Sequence, residues 1–268
     1  MKITHAVRAA MWIGAAMLAN GQAPAPPVKS AAPAAEAKAP KKPIFVTPEQ
    51  LSGALILPSP PAANSWKHLE ELAELHKIQE TRTPEQITHA QNDDKEESIF
   101  IFADILGPVF KRELLPATAL LSDHVKNDES LIVNPAKNFF RRPRPYHFDA
   151  TIHSVCKTTD NREDFGYPSG HGVTGYIEAI TLVQIVPEKR DLILARADDY
   201  AHSREVCGAH YSSDEAASKL LAHTMMGLML NHPQFKAELA AARAEVRAVM
   251  GLDLSATAEA PQSGASLR

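Results

Sequence analysis

Three short stretches of this 268-residue chain collect residue types able to hold and break a compact oxyanion. The first, Lys137-Asn-Phe-Phe-Arg141-Arg142-Pro143-Arg144-Pro145, places four cations in eight residues. Flanking prolines stop a helix and predict a fixed loop, and guanidinium forks match tetrahedral oxyanions in pairs. A solvated basic loop is the plainer reading of the same run. The second, Tyr167-Pro168-Ser169-Gly170-His171, precedes an apolar helical stretch. A Ser-Gly helix entrance offers a hydroxyl and unpaired backbone N–H groups to an anion, and His171 stands where it can donate a proton. An N-cap serine beside a surface histidine explains this segment equally well. The third is Ser203-Arg204, then His210 and Asp214 four residues later. At that spacing a first-turn carboxylate reaches one imidazole nitrogen, fixes the tautomer and frees the other nitrogen to attack or ligate. The bland counterpart is a helix-capping aspartate next to an unrelated histidine.

Positioning such groups requires a core, and the composition supplies one. Hydrophobic residues make up 44% of the chain, charged residues 22% and aromatic residues 6%, with net charge −4. These values exclude a wholly disordered chain and a strongly basic nucleic-acid binder. Two cysteines are too few for a disulfide scaffold or a Cys₄ zinc site. From Ser65 onward the apolar period is helical: Leu69, Leu72 and Leu75; then Ile99, Phe102, Ile105 and Leu106. Residues 113–133 read as one helix broken near Pro116, followed by helices over 172–186, 189–206, 212–230 and 233–250. Ser212-x-x-Glu215 reads as a capping box and Pro233 as a helix start. Alternating strand patterns and hairpin turns are nearly absent. The expected fold is therefore a single all-α helical-bundle domain over residues 46–250, with a disordered tail over 251–268.

The start of the chain reads differently. Lys2 and Arg8 precede an apolar run from Ala9 to Ala19, and small residues follow at Gly21 and Ala23. This order is that of a secretory signal peptide over residues 1–21, too short to span a bilayer as a helix. Its removal takes two bases and no acid, leaving a charge of −6. Residues 22–45 are rich in Pro, Ala and Lys and read as a disordered linker. Leu55-Ile56-Leu57 is expected to anchor the following Pro-rich turn on the domain without regular structure. The expected location is periplasmic or secreted, with no membrane span in the mature protein and no nucleic-acid binding.

Taken together, Lys137-x₆-Arg144-Pro145, Pro168-Ser169-Gly170-His171 and Ser203-Arg204-x₅-His210-x₃-Asp214 resemble the tripartite signature of the type 2 phosphatidic acid phosphatase and vanadium haloperoxidase superfamily. Eleven positions match, and chance agreement is on the order of 10⁻⁸ at average residue usage. Leu57-Pro58-Ser59-Pro60-Pro61, Cys207-Gly208-Ala209-His210 and the leader narrow the resemblance to class A bacterial non-specific acid phosphatases, over roughly residues 55–245. Around the second cluster those enzymes usually read Gly-Ser-Tyr-Pro-Ser-Gly-His-Thr. Here Phe165, Gly166 and Gly172 replace the first Gly, the Ser and the Thr. Gly172 is expected to loosen the first helical turn, by roughly 1 kcal/mol relative to alanine.

The resemblance implies hydrolysis of phosphate monoesters through a phosphohistidine on His210, oriented by Asp214, with His171 as proton donor. Lys137, Arg144, Arg204, Ser169 and Gly170 would bind the phosphate of small phosphorylated substrates. No metal or cofactor is expected; vanadate is expected as an inhibitor. Vanadate becomes a cofactor only if the chain is a haloperoxidase, and the third alternative is a non-catalytic oxyanion-binding protein of the periplasm. A homo-oligomer is left open. If the fold gathers the three clusters, Cys156 and Cys207 become neighbours, and an oxidising compartment would favour a bond between them; two buried free thiols are the alternative.

Overall fold

The computed structural model describes residues 41–253. The expected leader, residues 22–40 of the linker and residues 254–268 of the tail lie outside the described residues. Within them the chain is all-α, as its periodicity predicts, with no strand. The helices are α1 (Gly53–Ile56), α2 (Trp66–Thr81), α3 (Pro84–Asp93), α4 (Ala103–Leu106), α5 (Pro116–Phe140), α6 (Pro145–Phe148), α7 (Gly170–Ile185), α8 (Arg190–Val206), α9 (Ser212–Met229) and α10 (Pro233–Val249). Short 3₁₀ turns occupy Ile99–Phe102 and Pro187–Lys189.

Helix α7 is the axis of the bundle. It packs against α5, α8, α9 and α10, and Val173, Ile177, Ala179, Leu182 and Ile185 are fully covered. A helix apolar on every side has its lowest free energy in the middle of other helices. The close approach of α8 depends on Gly175: a methyl there would come within 2.6 Å of the Tyr200 ring. Helix α10 closes the bundle against α5 and caps it. Glu245 accepts the N–H groups of Ala117 and Thr118, each at 2.9 Å, at the open end of α5. His124 meets Glu238 further along the same pair.

Several local expectations are revised. Pro116 does not break a helix; it starts α5, where its missing N–H costs nothing. Helix α5 then runs through Pro135 to Phe140, so Lys137 sits in the last helical turn and not in a proline-bounded loop. The stop comes at Arg141, which adopts a left-handed conformation with φ 51° and ψ 35°. Helix α9 begins after Tyr211, so the Ser212–Glu215 capping box does not form; Asp214 accepts the Tyr211 N–H at 3.0 Å instead. Residues 53–56 form the short helix α1, and of the apolar trio only Leu57 is buried, Leu55 being 86% exposed. Helix α3 carries too few apolar residues to stand out by period, and a Thr83–Gln86 capping box starts it.

The packed domain also begins earlier than residue 46. Ile44, Phe45 and Val46 donate their backbone N–H groups to the single buried carboxylate of Asp128 on α5, at 2.9, 2.6 and 2.8 Å. Phe45 fits edge-on against Phe235. Asp128→Ala would strand these donors, two of them on buried residues, at a cost of about 1–3 kcal/mol per buried group. A loss of about 3 kcal/mol in urea-unfolding stability is expected.

Candidate functional site

The three clusters converge at the entrance of α7. Ser169 caps that helix, its hydroxyl accepting the Gly172 N–H at 3.1 Å. The end of α5 brings Lys137 alongside: its Nζ lies 4.0 Å from where a Gly170 side chain would begin. Arg144 reaches in from the loop ahead of α6, and Arg204 from the last turn of α8. His210 occupies the turn between α8 and α9, and Asp214 the first turn of α9.

His210 is almost wholly buried, at 1% exposure. Its Nδ1 faces Asp214 Oδ2 at 3.2 Å, and Arg144 Nη1 donates to its Nε2 at 2.9 Å. A ring that donates from Nδ1 and accepts at Nε2 is neutral, with its lone pair on the side of the cations. Burial, then Arg144, Lys137 and Arg204, hold His210 well below the ordinary histidine range. Burial pushes the Asp214 carboxyl up to about 6, against the opposing pull of Arg142.

Two of the three cations are backed by an acid. Arg144 is gripped by Asp164 through Nε at 2.9 Å and Nη2 at 3.2 Å. Arg204 donates to Asp94 Oδ1 at 2.7 Å, while its own buried Nε has no partner among the described residues. Lys137 makes no such pair among the described residues; burial and the nearby Arg144 lower it to about 8. His171 approaches the Asp94 carbonyl at 3.3 Å and Glu97 Oε1 at 3.7 Å. Burial and Arg204 bring His171 down to about 3. Ser203 faces away from this group and donates to Asp93 at 2.7 Å.

Lys137, Arg144, Ser169, Gly170, His171, Arg204, His210 and Asp214 therefore gather at this helix entrance, whereas Ser203 turns away and Arg141 points outward. Cys156 and Cys207 form a disulfide across 51 positions, tying the loop before the Ser169 segment to the end of α8. Closing a loop of that length contributes about 4 kcal/mol in the chain-entropy picture. What the sequence reading missed is the support behind the cluster. Arg142, one of two adjacent arginines, is the buried one: it joins Asp214 Oδ1 at 2.5 Å to Glu71 Oε2 at 2.6 Å and lies 3.9 Å over the Tyr211 ring. Asp94, Glu97 and Glu71 come from elements far away in the chain, and no spacing rule links them to His171 or Asp214.

Among the described residues, two groups of acids with a histidine or cysteines lie close enough together for a metal: Asp94 with Cys156 and Cys207, and His89 with Asp93 and Asp199. The first pair of sulfurs is spent in the disulfide. In the second, Arg196 already donates to both carboxylates. Among the described residues no helix is long and apolar enough to cross a membrane.

The chain is similar to several known bacterial phosphatases. The chain is 28% identical over 204 residues to a non-specific acid phosphatase of Providencia stuartii, covering 74% of this chain and 82% of that protein. It is 30% identical over 150 residues to a non-specific acid phosphatase of Salmonella typhi, covering 54% and 59%. An acid phosphatase of Zymomonas mobilis is 33% identical over 136 residues, covering 49% and 50%. A family model described as the PAP2 superfamily matches residues 121–237, a stretch that contains Lys137, Arg144, His171, Arg204 and His210.

Proposed function

We propose that this protein hydrolyses phosphate monoesters, with His210 as nucleophile and His171 as general acid. The observation that carries this reading is the state of His210: neutral, fixed by Asp214, and turned toward Arg144 within reach of Lys137 and Arg204. Phosphoryl transfer needs in-line positioning and charge stabilisation more than covalent assistance. Three cations and the Ser169–Gly170 helix entrance supply both.

The steps follow from the same contacts. A bound phosphoryl group draws Arg144 Nη1 from His210 Nε2 to one of its own oxygens, uncovering the lone pair. That nitrogen attacks phosphorus, the ester P–O bond breaks, and His171 protonates the departing oxygen. Asp214 stabilises the ring as it becomes positive. His171 then takes a proton from water, which attacks the phosphohistidine and releases phosphate. In the free site burial and the nearby cations keep His171 neutral; a phosphate dianion reverses the local field and favours its protonation. The substrate thus brings the charge that arms its own acid. No step uses a metal, and vanadate, as a five-coordinate mimic, should compete with substrate. The disulfide and the leader-like N-terminus favour an exported, oxidising location. The names of the relatives favour acid phosphatase activity.

His210→Ala is expected to lower kcat on an aryl phosphate by at least about 10³-fold, with folding intact by circular dichroism; near-native turnover would refute the nucleophile. Lys137 gives a pH signature. It is charged below about 8 and neutral above, so KM should rise as pH passes 8. Lys137→Arg, which stays charged, should move that limb upward; an unmoved limb would assign it elsewhere.

A further inference from the structure

Glu215 follows Asp214 in the first turn of α9, and the steps above make no use of it. Its side chain turns toward the α7 entrance and occupies the space that a side chain at Gly172 would need. A methyl at Gly172 would come within 2.0 Å of Glu215 Oε2 and 2.8 Å of Ser218 Cβ. The expectation that Gly172 merely loosens the turn is thereby revised: its lack of a side chain makes room for the carboxyl. Glu215 is only 5% exposed, and neither carboxyl oxygen reaches a full hydrogen bond among the described residues. Of the polar groups that influence it, Ser169 acts through its hydroxyl, and Asp214, Arg204 and Glu205 act through their charge.

We propose that Glu215 is a positioning and pH-gating residue for the phosphate site, acting through the Ser169 hydroxyl. This rests on the phosphatase reading above. A serine hydroxyl has one proton and two lone pairs. One lone pair of Ser169 takes the Gly172 N–H. When Glu215 is a neutral acid, its O–H fills the other, and the single serine proton is left for a phosphate oxygen. When Glu215 ionises, it claims that proton and sets a negative charge beside an anion site. Ser218 does not relieve it, because its hydroxyl is already engaged with the carbonyls of Ser169 and Asp214, at 2.8 and 2.7 Å.

The surroundings favour the neutral form. Burial raises Glu215 well above the usual carboxylate range; from α9 Asp214 adds to this and from α8 Glu205 does too, while Ser169 and Arg204 oppose. From α7 the Tyr176 hydroxyl feels the Glu215 charge as well. Ionisation therefore arrives only as pH rises, and phosphate affinity should fall with it.

The test compares wild type, Glu215→Gln and Glu215→Ala. KM and kcat for an aryl phosphate, and the affinity for inorganic phosphate by titration calorimetry, are measured at pH 5 and pH 8.5. Glutamine keeps a donor and cannot ionise, so it should match wild type at pH 5. At pH 8.5 it should bind phosphate about tenfold more tightly than wild type, with kcat little changed. Loss of Lys137 charge affects both proteins equally and cancels. Alanine should weaken phosphate binding at both pH values. A Gln variant that follows wild type throughout, or an Ala variant with wild-type affinity, overturns the inference. An inactive wild type would overturn the hydrolase reading instead, and the phosphate affinities would still decide the role of Glu215.

Discussion

Gathering like charges out of water is the constraint on which the rest of this structure depends. Lys137, Arg144 and Arg204 converge on one point together with two imidazoles, in a chain whose net charge is negative. Without an anion present such a group repels itself and loses hydration. The protein meets this cost from behind. Asp164 holds Arg144, Asp94 holds Arg204, and Arg142 is locked between Glu71 and Asp214. The inward faces stay positive while the outer shell is neutralised. The same field keeps His210 unprotonated, which a nucleophile requires.

The bundle is arranged to hold that point still. The α7 entrance sits where α5, α8 and α9 all reach it, so one buried helix end receives groups from three neighbours. Tyr200 seated on Gly175 fixes α8, and Arg204 is one turn further along that helix. Glu71 accepts the Ser213 N–H at 2.9 Å, so α2 fixes the start of α9 and with it Asp214.

Much of this was legible in the sequence because it is local. Helices α7 to α10 follow from apolar period and proline starts, and the His210–Asp214 contact follows from four-residue spacing. The electrostatic support was not legible, because it is not local. Arg141 and Arg142 are chemically the same in the sequence; only the left-handed turn at Arg141 sends one to solvent and the other inward. Asp94 and Glu97 reach His171 across more than seventy positions, and nothing in their own neighbourhood announces it. Local rules also misled where two read alike. Proline near Lys137 suggested a loop, yet a helix tolerates Pro135 on its exposed side. Ser212 and Glu215 fit a capping pattern, yet the cap falls one residue earlier.

The Arg144 contact to His210 has a consequence for the resting protein. An imidazole nitrogen kept permanently unprotonated would ordinarily be an early target of stray electrophiles, the alkylating and acylating agents met outside a reducing cell interior. Here that nitrogen carries a guanidinium cover and is reached by solvent over only 1% of its residue surface. Electrophiles lacking negative charge have nothing with which to displace the cover, so the more open rings of His89 and His202 would be modified first. Chemical hardiness and readiness to react are thus reconciled by one removable contact.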